Sequence, residues 1–243
     1  MTRERRRNLI RQRRTAIGVG IAAAISFLAG LTDAIGLLSA GSFVSFMSGN
    51  TTRAAVALAD GLWADASILL SALGIFVVGN ILGVVIAHGA RRRTFTILVA
   101  VSMLLGSAAM MTAFNFPLAQ FYLAVAAMGL VNAAVEHIEG LPIGLTYVTG
   151  ALSRFGRGIG HWIMGDRRSD WAVQLVPWCG MLAGATCGAL LERAFDARAF
   201  WFACLLSAAL ALTVFFVPPR LQKRMTRRLH LHANRIGRSS TAR

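Results

Sequence analysis

Six apolar stretches of about twenty residues constrain the fold of this chain more than any other feature. A helix needs about 20 mostly apolar residues to cross the hydrocarbon core of a bilayer. Residues of the AVILMFWYC set make up 56% of the chain and charged residues only 14%, whereas a soluble domain carries about 25% charged residues. The sequence therefore predicts an all-α membrane protein with about six transmembrane helices. The stretches are 16–39, 66–88, 94–114, 119–138, 172–192 and 199–217.

Two further apolar segments, 42–63 and 141–163, are interrupted by glycines and polar residues. The first interruption predicts a short helix over 50–61, because Ser, Asn and Thr often cap a helix start. Each segment can span the membrane, re-enter it from one side or lie at its surface. The interruptions are Ser48-Gly49-Asn50-Thr51 in the first segment and Thr149-Gly150 in the second.

The formal net charge of +15 is concentrated in two tails. Residues 1–14 carry a net charge of +6 and residues 218–243 carry +8, which leaves +1 for the body. Arginine and lysine accumulate in cytoplasmic loops. If the interrupted segments do not cross the membrane, giving six spans, every strongly basic segment lies on the same side of it. If both cross, giving eight spans, Arg91–Arg93 faces outward. The six-span arrangement with both termini cytoplasmic is preferred.

The chain also shows an internal repeat. Gly30-Leu31-Thr32-Asp33-Ala34 matches Gly129-Leu130-Val131-Asn132-Ala133 at an offset of 99 residues. Three spans per half is an odd number, so the halves are predicted to be inverted in the membrane, as in many secondary transporters. The predicted domains are a basic tail 1–15, a transmembrane domain 16–217 with repeats 16–114 and 119–217, and a basic tail 218–243.

Two pairs of glycines four residues apart occupy matching places in the repeat, at an offset of 105. Such spacing leaves a flat helix face on which another backbone can pack closely. The pairs predicted to pack helices are Gly79 with Gly83 and Gly184 with Gly188.

Asp33 lies inside the first apolar stretch, about seven residues from its end and so about 10 Å deep. A carboxylate there is costly and usually faces protein or water. It either lines a polar path or pairs with Arg53 near the outer surface. Glu136, one turn beyond Asn132, either belongs to that path or is solvated. The predicted solute-path residues are Asp33, Ser48, Gly49, Asn50, Thr51, Asn132, Glu136, Thr149 and Gly150.

Motifs of soluble enzymes are missing from the sequence. It contains no GxxxxGK[ST] phosphate loop, no HExxH and no GxSxG, the patterns that supply phosphate binding, zinc and a nucleophile. No CxxC or Cys/His cluster indicates a metal, and the three cysteines are predicted to be small buried apolar side chains. No catalytic residue, metal or cofactor is predicted, and the chain is not expected to be an enzyme.

The basic tails are predicted to contact the headgroups of anionic lipids in the bilayer. Each Lys or Arg near such a surface contributes about 1 kcal/mol. Nucleic acid is not an expected partner, since neither tail carries an aromatic residue for stacking on bases. The sequence does not determine the oligomeric state, and a homo-oligomer is one of the alternatives.

Three motifs of the first half occur in a fixed order: Gly30-x-x-Asp33-Ala34, Gly41-x-Phe43 and Met47-Ser48-Gly49-Asn50-Thr51. They resemble the YoaK-like family of bacterial membrane proteins, which usually has Thr at the position of Ser48. Asn132-Ala133 and Thr149-Gly150 match its second half. The resemblance covers residues 16–217 and implies about six spans in a bacterial inner membrane. It implies no established activity.

The leading hypothesis is an inner-membrane transporter or channel for a small solute, with a polar path near the midplane. The alternative is a non-transporting membrane scaffold or accessory subunit whose tails recruit partners.

Overall fold

The computed structural model describes residues 3–133, 137–138, 141–142, 148–166 and 171–217, and almost all of them are helical. Short 3-10 turns precede the last two helices, at Ala172–Gln174 and Asp196–Ala199. The prediction of an all-α protein is confirmed for these residues, apart from one two-residue β pairing. The helices are α1 (Arg3–Ala40), α2 (Met47–Ala59), α3 (Trp63–Gly89), α4 (Arg93–Ala113), α5 (Pro117–Asn132), α6 (Val148–Ile163), α7 (Leu175–Phe195) and α8 (Phe200–Phe216).

Four helical segments are long and apolar enough to cross a membrane: Ala16–Ala40, Trp63–Gly89, Arg93–Ala113 and Ala172–Phe195. Two shorter apolar helices, α5 with 16 residues and α8 with 17, accompany them. At 1.5 Å per residue the shorter pair reach about 24–26 Å. Each of the six begins within about three residues of a predicted stretch.

Helix α5, the fourth of the six apolar helices, ends earlier than the sequence predicts. The stretch 119–138 was expected to be one span, but α5 stops at Asn132. His137–Ile138 (β1) instead pairs antiparallel with Leu141–Pro142 (β2), and paired strand residues cannot continue a helix. Glu136, a predicted path residue, lies outside the described residues.

The outer surface of the bundle is apolar and its interior is closely packed. Val85 is 62% exposed, Leu205 64% and Phe216 75%, whereas Leu98 and Leu105 are fully buried. Soluble monomers rarely expose contiguous apolar patches beyond a few hundred Å². The outward faces therefore suit lipid rather than water.

Contacts between the helices fix their directions. In α1 and α7, Ala23 faces Gly180 and Leu31 faces Gly188, so these helices run parallel. In α4 and α8 the order reverses, because the Ser207 hydroxyl donates to the Leu98 carbonyl (3.1 Å) while the ring of Phe215 packs on Phe95. Those two helices are antiparallel.

The helices α3 and α5 also run parallel. Gly79 faces Ala126, and Gly83 faces Leu130. Short connections make α3, α4 and α5 successive antiparallel neighbours, and α7 and α8 likewise. Helices α1, α4 and α7 consequently run one way, while α3, α5 and α8 run the other.

These directions give the bundle two distinct ends. The basic end holds the start of α1, the α3–α4 turn with Arg91–Arg93, helix α6 and the end of α8. The opposite end holds α2, the α4–α5 turn and the α7–α8 connection. The tail 218–243 lies outside the described residues, but the chain enters it from the basic end.

Helix α1 is much longer than a bilayer span. Its 38 residues reach about 57 Å, and the apolar part begins only at Ala16. Residues 3–15, predicted as a tail, are helical and continue the first apolar helix for about 20 Å beyond it.

The prediction that the cysteines are buried is wrong for two of the three. Cys179 and Cys187 are exposed, and Cys204 is half-buried. The first two lie on α7 next to glycines that face α1, so their own side chains point away from the bundle. Among described residues, no group of three or more His, Cys, Asp or Glu could hold a metal ion.

Candidate functional site

The chain between α1 and α2 folds back along the last turns of α1. Gly41 follows the helix end with φ of 65°, the left-handed conformation in which glycine commonly ends helices. Residues 42–44 then lie against Gly36, where an added Cβ would come within 3.0 Å of Val44 Cγ1 and 3.2 Å of the Ser42 carbonyl oxygen. Gly36 therefore leaves the space that this irregular segment needs.

Asp33 holds the returning segment by its carboxylate. Oδ1 accepts hydrogen bonds from the backbone N–H groups of Val44 (2.8 Å) and Ser45 (2.6 Å), and Oδ2 accepts one from the Ser45 hydroxyl (2.6 Å). The side chain is only 4% exposed. Irregular backbone inside a bilayer must find hydrogen-bond partners in the protein or in a watery cavity, and Asp33 supplies them here.

Asn50 holds the same segment from α2. Its Nδ2 donates to the Phe43 carbonyl (2.6 Å), and its Oδ1 accepts from the Phe43 N–H (3.2 Å). The side chain is fully buried. We call Asp33, Ser45 and Asn50, with the backbone of residues 43–45, the polar clamp. It joins α1 to α2 without any residue of regular secondary structure between them.

Helix α2 begins earlier than predicted. The expected helix over 50–61 starts at Met47 and ends at Ala59, and Phe46 precedes it without a side-chain cap. The reason is that Asn50 is used in the clamp rather than at the helix start. Ser48 is exposed and Gly49 half-buried in the first turn. Thr51 is exposed and donates to the Met47 carbonyl of its own helix (2.8 Å).

Arg53 binds a different part of the segment from Asp33. Its guanidinium donates to the Gly41 carbonyl and contacts the Ser42 hydroxyl at 3.4 Å. The alternative prediction, a pair between Arg53 and Asp33, is replaced by two separate attachments. Together they fix both the beginning and the middle of the segment.

The predicted path residues of the second half lie elsewhere. Asn132 is half-buried at the last position of α5 and donates to the Met128 carbonyl (3.3 Å). Thr149 is exposed and Gly150 half-buried in the first turn of α6. Because α6 is at the basic end and α2 at the opposite end, the two interruptions are not brought together.

Asp33 and Asn132 nevertheless both lie beside the point where α1 crosses α5. The Thr32 hydroxyl lies 3.2 Å from Met128 Sδ at this crossing. Asp33 follows Thr32 directly, and Asn132 is one turn beyond Met128. We call this region the α1–α5 crossing.

Glycines bring two helix pairs into backbone contact. A Cβ added at Gly184 would lie 2.8 Å from Phe27 Cα, and one at Gly188 would lie 2.9 Å from Leu31 Cα. We call this the α1–α7 seam. In the α3–α5 seam, a Cβ at Gly79 would lie 3.2 Å from Gly129 Cα. Real Cβ atoms essentially never come within 3.0 Å of another heavy atom in such contacts, so the α1–α7 contacts require glycine.

The two seams use matching residues. Gly79 faces Ala126 and Gly184 faces Phe27, while Gly83 faces Leu130 and Gly188 faces Leu31. The facing residues 27 and 126 are 99 positions apart, as are 31 and 130. The glycines 79 and 184 are 105 apart, as are 83 and 188. These are the two offsets of the sequence repeat.

Several important residues escaped the sequence analysis. Ser45 and Gly36 carry no pattern that distinguishes them from other small residues in apolar segments. Gly180, whose Cβ would lie 2.6 Å from the Ala23 carbonyl oxygen, did have a signal. It extends Gly184 and Gly188 into a run of three glycines spaced by four.

Comparison with known proteins identifies relatives but no activity. Residues 21–213 match the family model described as "Protein of unknown function (DUF1275)". The UPF0700 transmembrane protein of Rhizobium meliloti (strain 1021) is 53% identical over 224 residues, which cover 92% of this chain and 98% of that protein. No solved structure matches significantly. These matches are compatible with the YoaK-like resemblance.

Proposed function

Since the chain belongs to the DUF1275 family and is an integral membrane protein, we propose that it transports a small solute through a path between two inverted three-helix repeats. The repeats are α1 to α4 and α5 to α8, and six of these helices cross the bilayer. The observation that carries the proposal is the matching register of the two seams.

The seams support the repeat because they are independent contacts. Chance similarity between apolar segments would give no reason for Gly79 and Gly184 to face residues 99 positions apart. A twofold relation between the halves requires it. Under that relation α1 corresponds to α5, α3 to α7 and α4 to α8.

The helix directions support the inversion. Each helix of the first half runs opposite to its counterpart, because α1, α4 and α7 share one direction and α3, α5 and α8 share the other. Inverted repeats of this kind are common in secondary transporters, whose solute sites lie near the midplane between the repeats.

The α1–α5 crossing is the proposed location of the solute path. Asp33 and Asn132 are counterparts in the repeat and flank this crossing from the two halves. The polar clamp places irregular backbone beside it, and such backbone is stable inside a membrane only when protein-buried or next to a watery cavity. Helix α2 then returns to the surface it came from, as a re-entrant element.

The orientation follows from the charge. Basic segments face the cytoplasm in most membrane proteins. We therefore place the basic end, with both termini, in the cytoplasm and the end that holds α2 outside. The protein is proposed to act without a resident cofactor or a covalent step.

Uptake into proteoliposomes tests transport. Purified protein is reconstituted, and accumulation of a panel of labelled sugars, amino acids, carboxylates and inorganic ions is compared with protein-free vesicles. We expect at least one class of solute to enter. Asn132→Leu should lower its uptake at least tenfold, because it removes a polar group at the crossing. Exposed Asp65→Asn serves as the control and should leave uptake unchanged.

Equal accumulation in protein-containing and protein-free vesicles for the whole panel would contradict transport. The alternative, a scaffold or accessory subunit, then makes its own prediction. Deleting residues 1–15 and 218–243 should abolish recruitment of partner proteins, whereas transport should survive this deletion.

A further inference from the structure

We propose that the turn between α3 and α4 binds the headgroup of an anionic phospholipid through Arg91 and Arg93. The turn follows Gly89 and joins two apolar helices of 27 and 21 residues. It therefore lies where the hydrocarbon of the bilayer ends and the phosphates begin. The proposal does not depend on the transport of a solute.

Arg92 is already engaged and fixes the position of this turn. Its guanidinium carbon lies 4.3 Å from the centre of the Phe215 ring, and its Nη1 donates to the Phe215 carbonyl. That carbonyl is among the last four of α8, and these carbonyls find no N–H donor within their own helix. Arg92 thereby ties the start of α4 to the end of α8, and the two neighbouring arginines remain exposed.

Basic residues outnumber acidic ones around these two arginines at their end of the bundle. Among acidic residues whose side chains are described, Asp60, Asp65, Glu192 and Asp196 all lie at the opposite end. Asp166, after α6, is at the basic end. The helical extension of α1 adds seven arginines and one glutamate to that end. An anionic ligand is therefore favoured there.

Exposed apolar side chains continue from the turn along both neighbouring helices. Leu82 is 48% exposed and Val85 62% on the last turns of α3, and Leu212 is 59% exposed and Phe216 75% on the last turns of α8. A phosphate next to such a band is the chemistry of a phospholipid, whose acyl chains lie along the helices. An acidic peptide or a nucleic acid would leave this band unused.

The test measures binding of phosphatidylglycerol and phosphatidylcholine to the purified full-length chain in neutral detergent by native mass spectrometry. The wild type should retain phosphatidylglycerol more strongly. R91Q/R93Q should bind it about 30-fold more weakly, which corresponds to about 1 kcal/mol for each arginine. R193Q/R198Q, which removes two exposed arginines from the opposite end, should bind as the wild type does.

Three results would overturn the proposal. The wild type does not prefer phosphatidylglycerol, or the two double variants lose binding equally, or soluble glycerol phosphate displaces the lipid at comparable concentration. The last result would identify a simple anion site. If R91Q/R93Q fails to fold, R91Q and R93Q are measured singly, and each should weaken binding about fivefold. An unchanged affinity in both single variants overturns the proposal equally.

Discussion

A single carboxylate organises the irregular segment between α1 and α2. Asp33 lies about two turns from the end of α1 and binds three donors of residues 44 and 45. Asn50 satisfies both backbone groups of Phe43 from the other side. Polar groups that are expensive in an apolar helix thus specify one path for a segment without regular structure.

Replacing Asp33 by Ala should strongly destabilise the protein. The change leaves three buried donors without an acceptor, and each such group costs about 1–3 kcal/mol. Asp33→Asn keeps one acceptor oxygen and should lose less. The free energy of unfolding in detergent, or the midpoint of thermal unfolding, measures the series.

Asp65→Ala is the matched control, because Asp65 is an exposed carboxylate in the first turn of α3. It should unfold within about 0.5 kcal/mol of the wild type, as surface substitutions usually do. Equal stability of the Asp33 and Asp65 variants would show that the clamp contributes nothing to folding.

The sequence identified Asp33 and Asn50 as unusual but not what they bind. A polar residue in an apolar helix predicts that a partner exists, since the polar group must be satisfied. It does not predict that the partner is the backbone of Phe43 and Val44, whose amide groups look like those of any other residue. The partner depends on how the segment folds back, which Gly36 and Gly41 permit together.

At the scale of helices, small residues decide which pairs come closest. Lipid offers apolar side chains as good a solvent as another helix does, so close backbone approach and dispersion contacts drive association. The α1–α7 and α3–α5 seams use glycines for this purpose. Each seam joins a helix of one half to a helix of the other.

Adding one methyl group to a seam should separate the helices. Gly184→Ala places a Cβ 2.8 Å from Phe27 Cα, so backbone must move. Overpacking of this kind costs about 1–3 kcal/mol. The midpoint of thermal unfolding should fall accordingly.

Gly74→Ala provides the control, because nothing lies within 4 Å of an added Cβ on that face of α3. Alanine favours a helix over glycine by up to about 1 kcal/mol, so this variant should be at least as stable as the wild type. If both variants behave alike, the seam is not a site of close packing.

The length of each apolar stretch predicts that a helix is present. It predicts the residue at which the helix ends less well. The starts of the six apolar segments agree with the sequence prediction within about three residues, because a span has a defined length in a bilayer. The end of α5 at Asn132 was missed because 133–138 are apolar enough to continue a helix. The pairing of His137 with Pro142 and of Ile138 with Leu141 shows that the last two residues of the predicted stretch are not helical.

At the scale of the whole molecule, the halves are interlocked rather than side by side. Helix α1 of the first half packs on α7 of the second half. Helix α5 of the second half packs on α3 of the first half. Helices α4 and α8 pack on each other in opposite directions. Most of the packing surface of one half is therefore supplied by the other.

Two separately expressed halves should consequently reassemble. A cut after the exposed Asn115, in the α4–α5 turn, gives chains 1–115 and 116–243. When both are expressed together, an affinity tag on the first should retain the second in detergent. The same experiment with Gly79→Leu in the first chain should recover much less, because the larger side chain blocks the α3–α5 seam.

Independent purification of the two chains, with no retention of one by the other, would contradict the interlocked arrangement. Retention that does not change with Gly79→Leu would show that the association does not use the seam.

In the proposed arrangement the two halves are inverted, and α2 and α6 each return to the surface from which they came. Single-cysteine labelling in intact bacteria tests this arrangement. In a chain without its native cysteines, a membrane-impermeant maleimide should label Asp60→Cys and Asn115→Cys from outside, and Arg91→Cys and Arg157→Cys only after permeabilisation. Labelling of Arg91→Cys in intact cells, or labelling of Asp60→Cys and Asn115→Cys from opposite sides, would contradict the inverted arrangement.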